Sequence, residues 1–278
     1  MTASDTAGGG LLSIRRSGPS DVVAHVTLAR PEVRNAFNAE LIDALRSAFE
    51  ALATEPPEAL RGAVLAGDGT VFSAGADVEW MRASLSLSRE ENERDAAALA
   101  DMLDAIDRCP VPVVARVQGA ALGGGVGLCA VADIVIAETA AVFGFTETRL
   151  GIIPAVISPF VIRKIGQSHA RALFPTGERF DAERAEAIGL VHVVVPDEAG
   201  LDAAVAAVIE DLLVAGPTAA RAAKALSREV PVLEAGDARR ETVARIAAQR
   251  TSPEGQEGLA AFLEHRRPAW AEGDVRET

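Results

Sequence analysis

A chain of 278 residues is long enough for one sizeable domain with a large core, and needs neither disulfides nor a metal to fold. Its 40 acidic against 27 basic residues give a formal charge of -13, a surface that repels nucleic-acid backbones and anionic membranes. Aromatics at 4% with no tyrosine leave little to stack on bases, and the isolated Cys109 and Cys129 read as buried thiols of a reducing cytoplasm.

Residues 1–10 are small, polar and glycine-rich, which predicts a disordered tail with no signal peptide. Short strands follow at 11–16 and 22–28, with Gly18-Pro19 as the turn. Asn38 reads as the N-cap of a helix carrying Leu41, Ile42, Leu45, Phe49 and Leu52 at helical spacing. A buried strand is expected at 63–66, then the segment FSAGADV (72–78). The charged stretch 82–94 reads as a mobile loop entering a helix at about Asp95–Asp107. Pro110 and Pro112 frame a strand at 113–117, a glycine turn at 123–125 leads into a short helix, and 133–137 is another strand. From Ser158 the pattern is mainly helical, with helices at 181–188, 201–215 and 217–229 and a strand at 191–195. The longest uncharged run, 117–132, is short and glycine-rich, so no transmembrane helix is expected.

Three segments carry candidate chemistry. In FSAGADV the small residues 74–76 let a ligand approach the main chain, as a backbone N–H donor requires; a tight strand-to-helix turn explains them as well. In GAALGGGVGL (119–128) a strand feeds a glycine turn from which a helix starts, and the N–H groups there favour developing negative charge. The strand-to-glycine loop is too long for a dinucleotide fingerprint, and no GK[ST] follows for a P-loop. In FGFTETRLGIIP (143–154) Glu147 stands among apolar residues that would raise its pKa into a range useful for acid–base work; the plainer reading is a surface glutamate paired with Arg149. Ser73 is not in GxSxG and His25, His169, His192 and His265 have no triad context, against a serine hydrolase.

Taken together, FSAGADV and GAALGGGVGL resemble the enoyl-CoA hydratase/isomerase family, the crotonase superfamily. The likeness runs from RPEVRNAFN (30–38) through ADIVIA (132–137), AIGLV (187–191) and VVVP (193–196) to FLEHRRP (262–268). It implies an α/β, crotonase-like (ClpP/crotonase) spiral of ββα units over 11–210, with a helical C-terminal trimerisation region over 211–278. It also implies an acyl-CoA substrate, no separate cofactor or metal, and a homotrimer or dimer of trimers. By the same likeness, Ala76 and Gly124 supply two oxyanion N–H donors to the thioester carbonyl. Arg34, Ala36, Ala74, Asp77, Val78, Leu122 and Gly123 would lie along the CoA and substrate, and Arg34 is a local cation for anionic CoA in an acidic chain.

The family's best-known hydratases flank the substrate with two glutamates. Here the resemblance places the second at Glu147, while Gly127 occupies the position of the first. One carboxylate can still hydrate an enoyl thioester if it activates water and returns the proton to the α-carbon, so Glu147 is expected to do both. The run TETRLGIIPAVISPFVIRKIG (146–166) is similar to the branch that includes methylglutaconyl-CoA hydratases of leucine degradation. In that branch a distal carboxylate would meet a cation such as Arg149 or Arg82. Trp80, Met81 and residues 82–94 are expected to shape the acyl pocket. A double-bond isomerase, an acyl-CoA decarboxylase or a non-catalytic acyl-CoA-binding protein of the same fold are the alternatives.

Overall fold

The structure, a computed structural model, describes residues 5–7 and 10–271. Among the described residues ten strands build two sheets: β1 (Asp5–Ala7), β2 (Leu12–Ser17), β3 (Val23–Leu28), β4 (Gly62–Gly67), β5 (Val113–Val117), β6 (Ala120–Leu122), β7 (Ile134–Glu138), β8 (Val142–Gly144), β9 (Arg179–Asp181) and β10 (Val193–Val195). The main sheet has the order β1-β2-β3-β4-β5-β7-β10, antiparallel through β3 and parallel from there on. A small sheet, β6-β8-β9, pairs β6 parallel and β9 antiparallel to β8. Each parallel pair needs a crossover, and the helices that supply them bury the sheet.

The first crossover is α1 (Ala39–Ala53), which starts where the Asn38 side chain accepts from the Leu41 amide at 2.9 Å. Its expected apolar stripe is buried. Next come α2 (Val78–Ser84) and α3 (Arg89–Asp107), joined by a short link rather than by a loop running to residue 94. Ser88 and Glu91 form a reciprocal capping box that starts α3 six residues earlier than expected. Its first two turns are exposed and charged, so apolar periodicity emerges only later along the helix. The short helix α4 (Gly124–Val131) is buried along nearly its whole length, and α5 (Ser158–Thr176) packs on it. Beyond them, α6 (Ala182–Ala187) is N-capped by Asp181, which accepts from the Arg184 amide.

The C-terminal helices are α7 (Glu198–Val214), α8 (Pro217–Glu229), α9 (Ala235–Thr251) and α10 (Pro253–Leu263). Through Leu201 and Val205, α7 covers Val23, Val64, Val114 and Ile136 on the outer face of the main sheet. The boundary expected at 210/211 lies inside this helix, which ends only at Val214. No residue of α8 is buried; cations hold it instead. Arg221 donates to the carbonyls of Glu55, Pro56 and Leu60, Lys224 to that of Val111, and Arg228 to that of Asp107. The first and last of these anchor points lie at the C-termini of α1 and α3, where helix dipoles favour positive charge. On α9 and α10, Val243, Ile246, Leu259, Phe262 and Leu263 are exposed.

Two further expectations change. The tail is described at 5–7, where β1 pairs with Leu12–Ile14, so those three residues are ordered as an edge strand; residues 1–4 and 8–9 lie outside the described residues. Strands β6, β8 and β9 were not expected, because three residues are too few to display a period of two.

Candidate active site

The two glycine-bearing segments meet side by side. Ser73 bridges to Ala121 in parallel register, with the Ser73 amide donating to Ala120 and the Leu122 amide to Ser73. A second bridge joins Phe37 to Ala76: the Phe37 amide donates to Gly75 at 2.7 Å, and the Asp77 amide to Phe37 at 2.8 Å. Between them the chain turns at Gly75, with φ of 88°, where a Cβ would stand 2.7 Å from the Leu122 carbonyl oxygen and 3.6 Å from the Gly124 nitrogen. Only glycine tolerates both that dihedral and that approach. Gly123 also has positive φ and its amide is tied to Gly144; α4 then begins with no side-chain cap. Neither the Ala76 nor the Gly124 amide donates to a protein acceptor among the described residues. Both amides are therefore free to bind a ligand oxygen.

Glu147 lies on a 3-10 turn, Thr146–Leu150, directly over this junction. Its Oε1 is 3.3 Å from where a Cβ on Gly123 would be. Its Oε2 is buried without a hydrogen-bond partner, and it forms no ion pair among the described residues. Arg149 is exposed and makes no ion pair with Glu147 among the described residues, so the expected surface pair is not realised. Burial raises the Glu147 pKa above the ordinary carboxylate value, against a smaller opposing pull from its own amide. A buried carboxylate with an unused oxygen can accept a proton from whatever enters beside it.

Ala74, Ala76, Gly123, Gly124 and Glu147 line one cavity of about 350 Å³. Trp80 and Met81 also line it, with Ala96 and Leu99 of α3, and Leu150 and residues 152–157 supply much of the remaining wall. Residues 82–94 do not reach it. Nor do the two arginines expected to meet a distal carboxylate: Arg82 pairs with Glu79 at 2.6 Å on the surface, and Arg149 lies outside the lining. Leu122 is outside the lining, its carbonyl oxygen close against Gly75. Arg34, Ala36, Asp77 and Val78 flank the cavity without lining it. Arg34 is exposed, with its carbonyl accepting from the Ala74 amide, while Ala36 is buried and Val78 exposed. The Asp77 side chain is fully committed: it caps α2 through the Glu79 amide at 2.8 Å and accepts from Arg30 at 2.9 Å. Burial raises its pKa, but the Glu79 amide and the Arg30 guanidinium outweigh this and hold it below the usual range.

Three residues that shape the site were not singled out individually in the sequence. Asn35, in left-handed backbone with φ of 53°, donates to the Asp68 and Val71 carbonyls and accepts from the Arg30 amide. The Phe37 ring packs on Gly124. Ile157 fills the space beside Gly127, where a Cβ would lie 2.6 Å from its Cγ2. The left-handed Arg34–Asn35 pair could have been anticipated, since asparagine tolerates that conformation; the other two are contacts between remote segments. A larger cavity of about 600 Å³ lies between the outer face of the main sheet and α7; none of these residues lines it, although Asn35 bonds to Asp68 in its wall. Its polar lining is largely self-satisfied: Arg116 pairs with Glu198 and Asp202, and Ser17 with His25.

Along most of its length the chain is similar to known proteins. A family described as enoyl-CoA hydratase/isomerase matches residues 19–273. Enoyl-CoA hydratase AKT6-1 of Alternaria alternata is 31% identical over 266 residues, 95% of this chain and 84% of that protein. An enoyl-CoA hydratase from Shewanella pealeana superposes with a TM-score of 0.86 at 40% identity, covering 94% of this chain and 96% of that one. Pseudomonas aeruginosa AtuE gives 0.89 at 35% identity, covering 94% and 100%.

Proposed function

Because the chain belongs to the enoyl-CoA hydratase/isomerase family, we propose that it adds water across the double bond of a 2-enoyl-CoA thioester. The thioester carbonyl oxygen accepts from the Ala76 and Gly124 amides. Glu147 takes a proton from water as the water oxygen bonds to the β-carbon. The electron pair of the double bond moves through the α-carbon onto the carbonyl oxygen, which the two amides stabilise; Glu147 then returns its proton to the α-carbon. Substrate and water account for every atom of the product, a 3-hydroxyacyl-CoA, so the proposal includes no cofactor beyond the CoA of the substrate. Two such donors in a water-poor pocket act strongly, one alone being worth about 10² to 10³ in rate.

The observation that carries this reading is the half-buried Glu147, its Oε2 without a partner, lining the same cavity as Ala76 and Gly124 with their two partnerless amides. The test is loss of enoyl absorbance with crotonyl-CoA, product identification, and repetition with Glu147→Gln. Full activity in that variant would remove Glu147 from the mechanism.

A second reading has its own support. Ile157 closes the space a first glutamate would need, so no second carboxylate is available to hold the water. The same Glu147 could carry a proton between the α- and γ-carbons, shifting a β,γ double bond instead. Incubation with a 3-enoyl-CoA separates the two outcomes by product.

The proposal further assigns CoA to the side of the cavity bordered by Arg34, where an exposed cation stands against the acidic chain. Assembly into a trimer or a dimer of trimers is proposed through the exposed apolar residues of α9 and α10. Light scattering coupled to gel filtration reads that state directly. Among the described residues no helix is long and apolar enough to cross a membrane, and the free, buried Cys109 and Cys129 accord with the reducing cytoplasm proposed as its location.

A further inference from the structure

We infer that the acyl wall of the cavity selects uncharged aliphatic acyl groups and rejects those carrying a second carboxylate. This rests on the proposal that the cavity binds acyl-CoA thioesters, but not on which reaction follows.

The lining contains no lysine, arginine or histidine. Beyond the glycine junction its half-buried and buried apolar wall includes Trp80, Met81, Leu99, Val156 and Ile157, leading to an exposed rim that includes Ile153, with Thr146 and Glu147 the only polar residues besides the tryptophan N–H. An anionic end group placed among these side chains would lose its hydration and gain no cation. It would also share a low-dielectric space with Glu147, the one ionisable group already there. The two arginines expected to meet a distal carboxylate are engaged or turned away: Arg82 is held by Glu79 at the surface, and Arg149 is exposed outside the lining. A methyl-terminated chain meets the opposite situation, since every methylene it buries leaves water for an apolar wall.

Selection of this kind is separable from catalysis by measuring binding of saturated thioesters, which cannot be hydrated or isomerised. Calorimetric titration of the full chain with hexanoyl-CoA and with glutaryl-CoA should give dissociation constants differing by at least about 100-fold in favour of hexanoyl-CoA. In Leu99→Lys, which places an ammonium group in the wall, the gap should narrow by about tenfold or more through tighter glutaryl-CoA binding. Met81→Lys serves the same purpose should the first variant fail to fold, as judged by circular dichroism. Gain of affinity for one ligand is a result that general damage does not produce.

Equal binding of the two thioesters, a preference for glutaryl-CoA, or binding of neither would overturn the inference. So would an unchanged gap in both folded lysine variants. Retained discrimination in a protein that hydrates no enoyl-CoA would leave the wall assignment standing and defeat only the hydration proposal.

Discussion

Phe37 and Gly124 are in contact across the site: a Cβ at Gly124 would stand 2.5 Å from Phe37 Cε2 and 2.8 Å from Cδ2. The same phenylalanine, through its backbone, pins the neighbours of Ala76 on either side. One residue thus abuts both proposed donors, and the spacing between them depends on how its buried ring is seated.

Gly124→Ala should therefore displace either the ring or the start of α4. Overpacking of this kind costs about 1–3 kcal/mol. The expected kinetic result is a fall in kcat of about 10² to 10³, with much less change in the dissociation constant of a saturated acyl-CoA. A loss confined to binding would show that the amide is not a transition-state donor.

Glu147→Gln should lower hydration by about 10² to 10⁴ without loss of stability. Because the folded-state pKa is raised, ionising Glu147 costs stability; the cost is absent below the unfolded value and fully present above the folded one. The glutamine variant lacks that cost, so its melting temperature near pH 8 should equal or exceed that of the parent. In the parent, kcat/KM should rise with pH through an inflection above 4.5, the ordinary value, and the variant should lack that inflection.

Gly127→Glu should fail to restore a two-carboxylate site, since the new side chain meets Ile157 at its first carbon and Leu103 behind it. Destabilisation of at least about 1–3 kcal/mol is expected, visible as a lower urea midpoint. Combining it with Ile157→Ala opens the space, and the double variant should recover part of that stability and hydrate faster than Gly127→Glu alone. If Gly127→Glu is as stable as the parent, the packing around residue 127 has been misjudged.

Asn35→Ala removes three hydrogen bonds from a buried brace and leaves the Asp68 and Val71 carbonyls and the Arg30 amide to find other partners. A cost of about 3 kcal/mol is expected, a fall of roughly 6–12 °C in melting temperature at this chain size. Calorimetry on the two proteins decides it, and an unchanged transition would refute the bracing role.

Much of the site was legible because glycine requirements are local. Gly75 and Gly123 occupy backbone that other residues avoid, and their segments stood out before any contact was known. The stripe from Leu41 to Leu52 likewise announced α1, since its period is written within fifteen residues. By contrast, the start of α3 hid behind a charged, exposed first half, though Ser88 and Glu91 at capping-box spacing were there to be read. Ile157 against Gly127 was beyond reach: thirty residues separate them, and only the packing of α4 and α5 brings them together. The same holds for the cations expected in the acyl pocket. Arg82 and Arg149 lie near the right segments, but helix geometry turns the first toward Glu79 and exposure takes the second.

The attachment of α8 differs in kind from that of the loop carrying Asp77. Asp77 has a lowered folded-state pKa, so its contribution is present above the unfolded value and drains away as pH falls through the folded one. Arg221 and Arg228 are seated mainly on peptide carbonyls, which do not titrate. Acid therefore loosens the molecule from one end: the Arg30–Asp77 latch beside the cavity gives way while those arginine fastenings at the rear persist.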